Sequence, residues 1–107
     1  MANDYKNAKL DLTTTSVTTL YTAPAAKTAI FKSILVSEDS GNADTVTATI
    51  TDASAAVFSL FKVKAVAANT AVELLSQPLV VETGEILKFT AATANRLHVV
   101  ASYLEVS

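Results

Sequence analysis

The chain has no cysteine and no tryptophan, only two glycines and two prolines, and a single histidine. Without cysteine it has no disulfide framework, no thiolate zinc site and no cysteine nucleophile, and its redox compartment is left open. Two glycines, Gly41 and Gly84, cannot build either of the glycine-rich nucleotide loops. His98 would have to serve any Ser-His-Asp arrangement alone, and a metal site would lack its usual second imidazole. Flanked by Leu97 and Val99, it reads as a structural or edge histidine. The ten carboxylates fall singly in turns or at strand edges, so no paired acid and base is set up. No catalytic, cofactor-binding or metal-ligating residue is therefore expected, and the chain reads as non-enzymatic.

Charge is also scarce. Eight Lys plus Arg are scattered among ten Asp plus Glu, for a net charge of -2, and no basic stripe is available to neutralise phosphates. Nucleic acid is excluded as a partner on that ground. No apolar run approaches the roughly 18 residues of a membrane-spanning helix. The N-terminal MANDYKNAKLDL carries Asp4, Lys6, Lys9 and Asp11 where an export signal needs an uninterrupted apolar stretch, so neither a membrane nor secretion by a signal peptide is expected. Only 17% of residues are charged, against about a quarter in ordinary domains, and mean hydropathy is +0.38. So few charges cannot coat a small body, and part of the surface is expected to be covered by a partner.

What is present is β-strand grammar. Thr45 to Thr51 reads TVTATIT, with threonine facing one way and Val46, Ala48 and Ile50 the other, the period of two of a half-buried strand. Similar β-branched runs, broken by Asn, Asp, Pro or Gly, occupy Val17 to Thr22, Thr28 to Ser37, Val57 to Ala65, Ala71 to Leu75, Leu79 to Glu82, Ile86 to Ala91 and Leu97 to Val106. A chain of 107 residues made this way is one all-β domain, a sandwich or barrel. Thr28 to Ser37 is apolar on both faces, with Ile30, Ile34 and Val36 on one and Phe31 and Leu35 on the other, and reads as central; Lys32 interrupts the first face and is expected to snorkel to a rim. LHVVASYLEV at the C-terminus is also apolar on both faces, so trimming Leu104 to Ser107 should damage the fold.

Three segments need a choice between readings. Glu38 to Asp44, EDSGNAD, supplies carboxylate and amide oxygens, but in no calcium-binding spacing, and is read as a solvated hairpin connection. AVAANTA at Ala65 to Ala71 is too short for a helix and is read as a loop. Asn69, Asn95 and the Asp52 turn stand where glycine would serve, since Asn and Asp tolerate left-handed geometry. In VFSLFKVKA, simple alternation puts Phe58, Leu60, Lys62 and Lys64 on one face, part apolar and part basic, and Val57, Phe61, Val63 and Ala65 on the other.

The series TTLYTAPAAKTAIFKSI at Thr18 to Ile34, TVTATITD at Thr45 to Asp52, ELL at Glu73, PLVVETGEILK at Pro78 to Lys88 and VVASYLE at Val99 to Glu105 resembles a family of small β-sandwich virion structural proteins of tailed bacteriophages. The likeness spans Val17 to Ser107. It departs from the pattern mainly at turns, where relatives favour glycine and this chain has alanine or asparagine, as at Ala25 and Ala26 after Pro24. The resemblance implies an antiparallel β-sandwich, jelly-roll-like, of about eight strands. Residues 1–12 are expected to form a short N-terminal arm and first short strand, and residues 13–107 the sandwich domain.

It further implies a non-enzymatic virion protein, assembled in the host cytoplasm, that decorates or cements the capsid. Its partners would be the major capsid protein and copies of itself, as a homotrimer. A tail, neck or fibre component is the alternative, and a host-surface carbohydrate-binding module a second one. Tyr5, Lys6 and Leu10 of the arm, together with Phe58, Leu60, Lys62 and Lys64, are the expected partner interface.

Overall fold

The computed structural model describes residues 3–107, and among these the chain forms nine strands. They are β1 Asn3–Leu12, β2 Thr18–Thr22, β3 Thr28–Glu38, β4 Asp44–Thr51, β5 Val57–Val66, β6 Ala71–Glu73, β7 Leu79–Val81, β8 Ile86–Ala91 and β9 Leu97–Val106. One sheet runs β1-β9-β3-β6, with β7 also on β3, and the other runs β2-β8-β4-β5. Every pairing is antiparallel. With β6 and β7 counted as one interrupted strand, the first strand pairs with the last, the second with the last but one, and so inward to the β4–β5 hairpin. That is a jelly roll, a long hairpin wrapped into two facing sheets.

The core lies between the sheets. β9 alternates strictly, with Leu97, Val99, Ala101, Tyr103 and Glu105 turned inward, and β3 and β8 answer with Phe31, Ile34, Val36, Leu87 and Phe89. β4 follows its sequence pattern, burying Val46 and Ala48 while Thr45, Thr47 and Thr49 face out. β3 and β9 both lie inside their sheet, as their two apolar faces require. Asn69 and Asn95 adopt positive φ, as expected of them. In the Asp52 turn the left-handed residue is Ala55 (φ 70), and Ala26 (φ 62), two residues after Pro24, stands where glycine would be unstrained.

Three expectations are corrected. β3 does not keep one phase: a β-bulge at Lys32, between the Phe31–Tyr103 and Ser33–Ser102 pairs, adds a residue, so Ala29 and Phe31 face inward before it and Ile34 and Val36 after it. Ile30 and Leu35 are thereby turned outward.

β5 carries two bulges against β4, one where Lys62 and Val63 oppose Thr47 and one at Leu60. Phe58, Leu60, Lys62 and Lys64 therefore do not share a face. Register sets Phe58, Phe61 and Lys64 on the side of Ile50, Ala48 and Val46, and leaves Leu60 and Lys62 inside the bulges.

Finally, residues 3–12 are neither an arm nor a short strand. They pair one-to-one with β9 over ten residues, from Asn3 opposite Val106 to Leu12 opposite Leu97. Alternating with β9, Ala8, Leu10 and Leu12 reach the core. Met1 and Ala2 of the expected arm lie outside the described residues.

Candidate interaction surface

Three carboxylates, Glu105 and Glu38 buried and Glu73 exposed, hold the frame that presents the surface. Glu105 on β9 is almost fully buried and draws in groups from both sheets. Its Oε1 receives Lys6 Nζ at 2.8 Å and lies 3.5 Å from Lys27 Nζ, while Tyr21 donates its hydroxyl to Oε2 at 2.7 Å. The Lys6 hydrogen bond, followed by that from Tyr21, holds the Glu105 carboxyl below the usual range. The same contact raises Lys6, and burial followed by the Glu105 bond pushes the Tyr21 phenol up. Tyr21, Phe31 and Tyr103 pack as a ring cluster beside it, with centroids 4.8 to 5.3 Å apart.

Glu38 ends β3 with its carboxylate turned into the protein and not toward solvent. Oε2 accepts the Ser40 N–H at 2.8 Å and the Ser40 hydroxyl, and Oε1 accepts the Gly41 and Asn69 N–H groups at 3.1 Å each. Burial alone would raise this carboxyl, but these hydrogen bonds outweigh it and bring it down to about 2. The EDSGNAD segment is thus anchored on a buried acid whose two oxygens are taken by N–H donors.

Glu73 fills the gap where β6 gives way to β7. Its carboxylate accepts the Ser33 hydroxyl, the Ile34 N–H at 2.8 Å and the Leu75 N–H at 3.1 Å, and the Leu74 N–H returns to Ile34 O. A side chain thus completes a ladder that Pro78, lacking an N–H, interrupts.

On this frame the outward residues of the β1-β9-β3 sheet fall into rows. Tyr5, Leu104, Ile30 and Val80 stand opposite one another across β1, β9, β3 and β7. Tyr5 is 79% exposed and Val80 49%. A second row runs Lys9, Val100, Leu35 and Glu73, with Val100 40% and Leu35 39% exposed. Between them lies the polar row Asn7, Ser102 and Ser33. At the far end His98 sits between Asp11 and Asp39, Nε2 3.3 Å from Asp11 and Nδ1 3.8 Å from Asp39, a surface histidine on a central strand and not on an edge one.

Outward apolar residues gathered on one face of a small domain, here in two rows parted by a polar one, are the kind of surface that association covers. The other sheet differs. Thr19, Lys88 and Thr49 form one outward row, and Thr90 and Thr47 the next.

The expected interface residues divide accordingly. Of the three on β1, only Tyr5 faces out: Lys6 is engaged by Glu105 and Leu10 packs on the core. On β5, Phe58 is 54% exposed, and Lys62 and Lys64 are exposed. Leu60 is half-buried and lines an apolar hollow with Phe61, Leu74, Leu75, Pro78 and Leu79, between β5 and the β6–β7 connection.

Sequence reasoning missed Ile30, Leu35, Val80, Val100 and Leu104, because alternation shows only that β3 and β9 are apolar on both faces, not which face stays uncovered. It also missed the three carboxylate anchors, whose partners lie far away along the chain. The chain matches no protein-family model, and no curated protein matches it.

Proposed function

We propose that this is a non-enzymatic structural protein of a phage virion that decorates the capsid, docking on the outer shell through the outward face of the β1-β9-β3 sheet. The observation that carries the reading is the pair of apolar rows centred on Leu104 and Val100. They supply apolar surface for a partner to cover, with Lys9 and Glu73 at the ends of the second row. The bacteriophage resemblance supplies the partner, the major capsid protein, and the jelly-roll sandwich is compatible with it. The sugar-binding alternative would need clustered exposed aromatics. Among the described residues the exposed ones are Tyr5 and Phe58, on edge strands of different sheets.

The test is the ratio of this chain to the major capsid protein in purified particles, by quantitative mass spectrometry. A ratio near one, or a simple fraction such as a third, is expected. A ratio near one per hundred moves the protein to tail, neck or fibre, and absence from particles rejects a virion role. Combining Val80→Lys with Leu35→Thr should then abolish occupancy while leaving the monomer folded. Deleting residues 2–9 is a poorer probe, because it strips β9 of most of its paired neighbour.

A further inference from the structure

Three of the four sheet edges are blunted. β2 is five residues long and bulged. β5 is bulged twice, with Val63 held at φ 53, a conformation a β-branched residue rarely adopts. β6 and β7 are three residues each, separated by Pro78. These are the devices by which proteins prevent strands from adding to a sheet. β1 is neither short, bulged nor broken by proline: it runs ten residues in unbroken register, and its only guard is charge, at Asp4, Lys6, Lys9 and Asp11. Among the described residues, its backbone bonds to anything but β9 are confined to its end, where Asp11 O accepts the Thr13 N–H and Leu12 O the Asn95 N–H.

We propose that the open half of β1, Asn3 to Asn7, docks against the same segment of a second copy, antiparallel about a two-fold axis at Tyr5. The register follows from three requirements. First, directly opposite residues share a face, so both copies keep inward and outward sides aligned only if odd positions oppose odd and even oppose even. An axis at Lys6 or at Lys9 then sets each lysine against its own copy, which is unfavourable. Second, an axis at Tyr5 sets Asp4 against the partner's Lys6 and Lys6 against the partner's Asp4, with Asn3 against Asn7. An axis at Leu10 would also match charges, through Lys9 and Asp11, but the Asp11 and Leu12 carbonyls are already engaged. Third, Tyr5, the most exposed large apolar side chain described, lies against its own copy. The row Val80, Ile30, Leu104, Tyr5 then continues without a break into the partner's row.

The contact is isologous and concerns the isolated chain, whatever else the protein binds. A trimer of the kind the resemblance implies would need a different surface. Five paired residues make a small interface, so the free dimer should form only at high concentration.

Because the native chain lacks cysteine, a single introduced thiol reads the register directly. Tyr5→Cys places two thiols across the axis on Cα atoms about 4.5–5.5 Å apart, within disulfide reach. Lys9→Cys, exposed on the same face and strand, leaves them about 26 Å apart, eight residues of offset. Under mild oxidation Tyr5→Cys should give covalent dimer at least tenfold faster than Lys9→Cys. Equal rates, or no cross-link at either, overturn the proposal. Sedimentation of the unmodified chain is the independent check. A monomer–dimer equilibrium that Asp4→Lys weakens about tenfold is expected, whereas a monomer at every concentration, or a dimer indifferent to Asp4→Lys, also overturns it.

Discussion

The two sheets of this sandwich obey one alternation and differ in what they turn outward. At equivalent outward positions the β2-β8-β4-β5 sheet presents Thr19, Thr47, Thr49 and Thr90, and the β1-β9-β3 sheet presents Tyr5, Ile30, Leu35, Val100 and Leu104. Threonine keeps the branched shape that suits a pleated strand while its hydroxyl stays in water. Valine and isoleucine supply the same branched shape, and with leucine they leave apolar area exposed, at about 25 cal/mol per Å² until something covers it. The outward branched aliphatic residues are therefore not spread evenly over the two sheets but gathered on the β1-β9-β3 face.

The comparison fails most completely if the faces cannot be separated from the core they share. Phe31→Ala, which removes the ring packed on both Tyr21 and Tyr103, should cost about 3–5 kcal/mol in urea denaturation and abolish particle binding along with the fold. Substitutions on the faces should behave otherwise. Val80→Lys with Leu35→Thr should change stability by no more than about 1 kcal/mol and remove binding, whereas Thr47→Lys with Thr49→Lys should leave binding intact. Equal loss of occupancy from both pairs would mean that the apolar rows are not the docking face.

Acid offers a milder probe. Glu38 holds its proton only below about pH 2 when folded, against an ordinary 4.5, so the unfolded chain takes up the proton first as pH falls. Its stabilisation is complete above about pH 4.5 and disappears between 4.5 and 2. Glu73, Glu105 and Asp52, also lowered, add in the same direction. The urea midpoint should fall across that window, and Glu38→Gln should flatten the fall; an unchanged slope in that variant would remove Glu38 from the account.

Smallest of all, the Thr51 hydroxyl is buried without a hydrogen-bond partner among the described residues, on the sheet where threonine is otherwise wet. Thr51→Val, equal in shape, should stabilise by about 0.5–1 kcal/mol in thermal unfolding.

How far the sequence foretells this depends on how local the cause is. TVTATIT reveals its strand and its faces because its period is unbroken, and Asn69 and Asn95 reveal their turns because their chemistry is suited to positive φ. Lys32 hides a bulge that shifts the inward phase of β3, since a bulge is a relation between two strands and leaves no mark in either alone. β5 misleads twice for the same reason. β1 reads as an arm because DYKNAK is polar on both sides, and its real partner, β9, lies at the other end of the chain, with Lys6 meeting Glu105 across 99 positions. The outward apolar rows follow from all of these at once, so they become visible only when the registers are known.

The pairing of Asn3 with Val106 carries a mechanical consequence. The outer ends of β1 and β9 lie side by side at one corner of the molecule. Tension applied at those two points does not shear the ladder, where all ten pairs would share the load. It opens the ladder from one end, so that each pair resists alone, and the sandwich yields to a gentle pull on its own ends while the same strands, loaded along their length by a neighbour, hold together.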